Sequence, residues 1–149
     1  MRVLTNNPLT KQKLANWQGG TVAYHDVPLI GILTSARDQI HLGYRLCTHP
    51  LSGSVKPNET PYKSIALFDA PEKALCTDSL MLIEHSIAVC QHLAANPRPV
   101  TDGMLKDFQL VDYTLILSAL EGTSDWHPGI DPFSDASHPA DTTHLSPSC

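Results

Sequence analysis

Apolar and polar positions in the first half of the chain switch repeatedly between a two-residue and a helical period. The run RVLTN at 2–6 is short and β-prone, Asn7-Pro8 breaks it, and LTKQKLANW carries Leu9, Lys13, Leu14 and Trp17 at the spacing of a first helix that Gly19-Gly20 ends. TVAYHDV at 21–27 is β-branched and aromatic, which predicts a second strand stopped by Pro28. In PLIGILTSARDQIHLGYRL, Thr34 or Ser35 suits the N-cap of a helix running to about His41, with Gly43 as its C-terminal cap. RLCTH at 45–49 and KSIALFD at 63–69 read as a third and a fourth strand. Beyond Pro71 the pattern turns helical: Thr77 or Asp78 opens a helix to about Ala95, NPRP punctuates, and Thr101 or Asp102 opens a last helix ending at Gly122.

Both late helices are apolar on wide faces, as in helices sandwiched between layers or shared with another subunit of a homo-oligomer. From Thr123 the text is rich in Ser, Asp, Pro and Thr and lacks periodicity, so residues 1–122 are expected to fold and 123–149 to form a disordered tail. Strands alternating with helices predict an α/β fold: a small three-layer domain with a mainly parallel four-stranded sheet and two C-terminal helices. Ligands of open α/β sheets collect beyond the carboxyl ends of the strands. Asn6 and Asn7, His25 and Asp26, and Thr48 and His49 should therefore share one edge.

At that edge begins THPLSGSVKPNETPYKS, residues 48–64, a dense polar stretch between two apolar runs. Ser52, Gly53 and Ser54 offer small side chains and a backbone able to turn its N–H groups toward an anion, and Lys56 adds positive charge. Pro57 and Pro61 stiffen the flanks, Asn58, Glu59 and Thr60 are turn formers, and Tyr62 and Lys63 close the stretch. A loop so polar and so rigid is preorganised for binding. The competing reading is an ordinary solvated Ω-loop fixed by its prolines.

Charge narrows the partners. A net charge of -5 over 149 residues offers no basic field for a phosphate backbone, which argues against nucleic acid. No apolar run approaches a membrane span and MRVLTNNPL lacks the apolar core of a signal peptide, so no membrane role and a cytoplasmic location are expected. The four cysteines include no CxxC pair, and Cys47 and Cys90 read as buried thiols. His85 and His92 are two helical turns apart, too far to ligate one ion, so neither a metal nor a cofactor is indicated.

The stretch ARDQIHLGYRLCTHPLSGSVKPNETPYKSI, with the opening VLTNNPL, resembles the GrdX family, small proteins encoded within the glycine reductase gene clusters of amino-acid-fermenting anaerobes. The resemblance spans residues 1 to about 121 and is most specific in HPLSGSVKPNETPYKS. It implies a cytoplasmic accessory protein of glycine, sarcosine or betaine reduction and brings no catalytic residue with it. What it carries over is a motif: Asn6, Asn7 and Pro8; Arg37, Asp38 and His41; and His49 through Lys63. Two classes of function follow. One is an accessory or binding protein whose 48–64 loop holds a small anionic metabolite or a glycine reductase component. The other is a small enzyme, of hydrolase or transferase type, acting on a carboxylate or phosphorylated intermediate with His49, Lys56 or Glu59 in acid and base roles.

Overall fold

A computed structural model describes residues 1–51 and 55–122. Along the chain run β1 (Arg2–Thr5), α1 (Pro8–Lys13), β2 (Thr21–Tyr24), α2 (Leu29–His41), β3 (Ser64–Leu67), α3 (Thr77–Ala94) and α4 (Asp102–Gly122). The sequence-based expectation for residues 52–54 and for the 123–149 tail lies outside the described residues.

Local chemistry explains most boundaries. The Asn7 side chain accepts the Leu9 N–H and Pro8 takes the first helical position of α1, where its missing N–H costs nothing. Helix α2 starts at Leu29, ahead of the expected Thr34, and the Thr34 hydroxyl donates inside the helix to the Ile30 carbonyl (2.7 Å). Gly43 follows with φ +98°, and a Cβ there would collide with the Glu72 carbonyl oxygen, so only glycine fits.

The sheet corrects the expected fold class. It has three strands in the order β2-β1-β3, parallel between β1 and β2 but antiparallel between β1 and β3. Helix α1 provides the crossover that makes the first pair parallel. Among the described residues between 48 and β3 there is no helix to carry the chain back, and β3 enters the sheet from the edge where β1 ends. The expected third strand, Arg45–His49, reduces to one isolated bridge, Leu46 opposite Leu67. Its ladder fails at Ala66: the carbonyl takes both the Cys47 and Thr48 N–H groups (2.9 and 3.3 Å), and the Ala66 N–H donates to the Thr48 hydroxyl (3.0 Å) rather than to a main-chain carbonyl.

Strand alternation divides the core into two clusters. Leu4, Ile65 and Leu67 pack with Leu29, Ile32, Leu33, Ala36 and Ile40 of α2 and with Ile83, Ile87 and Cys90 of α3. Val3 and Ala66, on the opposite face, pack with Leu14 and with Ile116 of α4, while Trp17, Tyr113 and Leu120 close the rim. Helices thus cover both faces of a small mixed sheet. No helix among the described residues is long and apolar enough to cross a membrane.

Candidate functional site

The carboxyl end of β1 and the start of β3 meet in a dense set of side-chain bonds. Asn6 donates through Nδ2 to the carbonyls of Val27 (2.9 Å) and Pro61 (2.7 Å), while its Oδ1 accepts the Lys63 N–H (2.7 Å). One amide thereby ties together the turn after β2, the end of the polar loop and the entry to β3. Asn7, fully buried, donates to the Gln109 carbonyl and to Asp112 Oδ2, both at 2.8 Å.

Asp112 is the centre of this set. Its Oδ1 accepts the Ser64 N–H (2.8 Å), and its Oδ2 accepts the Ser64 hydroxyl (2.7 Å) besides Asn7. The residue is 7% exposed, a depth at which a carboxylate persists only with such donors. Around it, Ser64 Oγ also lies 2.7 Å from Thr5 Oγ1 and 3.3 Å from Thr10 Oγ1, so the hydroxyls form a continuous buried chain.

Beside this network opens a cavity of about 280 Å³, lined by Thr48, His49, Lys63, Ser64 and Asp112, with Leu115, Ile116 and Ala119 of α4 as an apolar wall. Lys63 also faces a tighter space of about 30 Å³ that includes Leu29, Leu51, Val55, Phe108 and Leu115. Lys63 is 9% exposed, and burial pulls its ammonium below the usual lysine range, an effect that the nearby Asp112 carboxylate opposes. At the mouth, burial lowers the His49 pKa, and the charges of Lys63 and of His85 on α3 lower it further. Its Nδ1 accepts the Leu51 N–H (3.0 Å), a bond only the neutral tautomer makes. Lys63 and His49 therefore share the lining of one cavity with Asp112, whose carboxylate holds Asn7 and Ser64.

The structure brings together Asn6, Asn7, His49 and Lys63 from the sequence-derived residues. Those at 56–62 serve mainly to hold the loop down. Glu59 Oε2 accepts the exposed Lys56's N–H (3.2 Å), and Glu59 pairs with Arg98 (3.5 Å). Asn58 Nδ2 donates to the Asn96 carbonyl (2.9 Å), the Thr60 hydroxyl accepts the Tyr62 N–H (3.2 Å), and Gln109 Nε2 donates to the Tyr62 hydroxyl (2.9 Å). Ser52, Gly53 and Ser54 lie outside the described residues. Arg37, Asp38 and His41 are not part of this edge. Helix α2 runs back along the sheet from Leu29, at the cavity, to Gln39, which accepts a bond from Arg2 at the opposite end of β1 (2.6 Å). There Arg37 pairs with Asp38 (3.2 Å) and with Glu84 (3.9 Å).

Two residues were missed by sequence reasoning. Asp112 sits as a lone acid in an apolar helical stretch, LVDYTLIL, and that placement was the available signal of a buried partner. His85 was weighed only with His92 on its own helix, and its relation to His49 arises from packing between elements.

No curated protein and no solved structure matches this chain. The family model described as GrdX-like protein matches residues 2–121, which include every element of the fold up to the last turn of α4, and the chain belongs to that GrdX-like family.

Proposed function

We propose that this protein is an accessory binding protein of the glycine, sarcosine or betaine reductase system that holds a small anionic metabolite in the cavity between the two ends of the 48–64 loop and helix α4. The supporting observation is that Lys63 and His49 line a cavity of about 280 Å³ in which the carboxylate of Asp112 is engaged by Asn7 and Ser64. A desolvated cation binds a carboxylate or phosphate more strongly than one in water, because the local dielectric is low. The volume lies at the lower limit of ordinary ligand pockets and suits a molecule of a few heavy atoms. Family membership supplies the metabolic setting. The cation that matters is Lys63 rather than the exposed Lys56.

Calorimetric titration with acetate, glycine, phosphate and acetyl phosphate tests this reading. At least one should bind wild type, and none should bind Lys63→Met with measurable heat. Absence of binding by all four at millimolar concentration would sink the metabolite reading, and capture of a purified reductase subunit by the same preparation would then transfer the loop to a protein partner.

A further inference from the structure

We infer that Lys63 is an amine nucleophile toward a small 2-oxo or aldehyde acid, with the carboxylate of that ligand seated toward His49 and its carbonyl carbon at Lys63 Nζ. This rests on the anion site proposed above and narrows its ligand to a class that carries both groups.

The geometry has three parts. Lys63 is the only amine among the residues lining the larger cavity. Its main chain is clamped on both sides by one residue, since Asn6 Oδ1 accepts its N–H (2.7 Å) and the Asn6 N–H donates to its carbonyl (3.3 Å), so the root of the side chain is fixed before any ligand arrives. Leu115, Ile116 and Ala119 give the cavity an apolar wall on one side. In such surroundings a lysine carries more free amine at neutral pH than a lysine in water, and burial does lower the Lys63 pKa.

The step balances without any redox partner. The Lys63 amine lone pair attacks the carbonyl carbon, a C–N bond forms, and the carbonyl oxygen takes up a proton to give a carbinolamine. Loss of that oxygen as water leaves a protonated imine. His49 stands at the cavity mouth as the nearest group able to exchange the proton. Asp112 lies close enough to raise the affinity of Lys63 for protons and offsets the positive charge of the iminium.

Glyoxylate or pyruvate with sodium cyanoborohydride, applied to the intact chain and followed by peptide mass spectrometry, reads the inference directly. The reduced adduct should appear on Lys63 faster than on any of the exposed Lys11, Lys13, Lys56, Lys73 or Lys106, because the lowered pKa leaves more of its amine unprotonated at neutral pH. Excess acetate should suppress it, and Lys63→Arg should abolish it. Labelling spread evenly over the lysines of folded wild type would overturn the inference whatever the variant does. Calorimetric binding of pyruvate without an adduct would overturn it too and leave the anion site standing. Neither binding nor adduct would remove both.

Discussion

Asp112 accepts both hydrogen-bond donors of Ser64, the main-chain N–H at 2.8 Å and the hydroxyl at 2.7 Å, although 48 residues separate them. This pair fastens the middle of α4 to the first residue of β3 and explains why a long helix with exposed Leu110, Val111 and Leu115 keeps its place on the sheet. Replacing the carboxylate by an amide would turn one acceptor into a donor facing Asn7 and Ser64. Asp112→Asn should therefore cost roughly 3–5 kcal/mol, the range for breaking a buried charged network at one partner. Urea unfolding measures it, and a loss under 1 kcal/mol would show that the network is dispensable.

Asn6 serves a different joint. Without its side chain the Lys63 N–H and the carbonyls of Val27 and Pro61 each lose a partner, of which the Lys63 N–H is the most buried. Asn6→Ala should destabilise the fold by about 2–4 kcal/mol, given about 1–3 kcal/mol for each buried group left unpaired. Cleavage within 48–64 by a nonspecific protease should also quicken, because the loop's C-terminal anchor is gone. Unchanged cleavage would place the anchoring elsewhere.

Periodicity revealed where chain elements lie because it is a local property. α3 and α4 begin at Thr77 and Asp102, near the expected starts, although Cys76 rather than Thr77 or Asp78 caps α3, and β1, β2 and β3 fall inside the apolar runs that predict them. Strand direction is not local. Residues 48–64 carry three prolines and no helical pattern, a feature of the sequence that points to β3 running antiparallel to what precedes it. The same holds at the site. Asn6, His49 and Lys63 are legible from strand ends, whereas Asp112 reaches it only through the packing of α4, and Arg37, Asp38 and His41 lie toward the other end of the sheet because α2 runs back along it.

His49 gives the fold a pH dependence whose sign follows from its depressed pKa. Lys63 and His85 are the charged groups that act on it, after burial itself, and Leu51 N–H bonds to its neutral ring. Below the ordinary histidine range, near 6.5, the unfolded chain takes up this proton more readily than the folded one. The contribution is thus complete above that range and is lost as pH falls through the lower folded value. Stability against urea should rise with pH across this acidic window, and His49→Gln should flatten the slope. An identical slope in the variant would assign it to another group.

Lys63 should behave in the opposite manner to Asp112. Its burial opposes the charge more strongly than the Asp112 carboxylate favours it, so the ammonium is held at a cost to the fold. Lys63→Met removes that cost, keeps the apolar stem, and leaves Asp112 its bonds from Asn7 and Ser64. Urea unfolding should change by less than about 1 kcal/mol, because the relieved burial of the ammonium offsets its lost attraction to Asp112. Anion affinity should meanwhile fall by at least about tenfold, the loss of one charge-assisted contact worth roughly 1.5–3 kcal/mol. A variant that is both less stable and fully competent in binding would mean that Lys63 braces the fold and that the anion sits elsewhere.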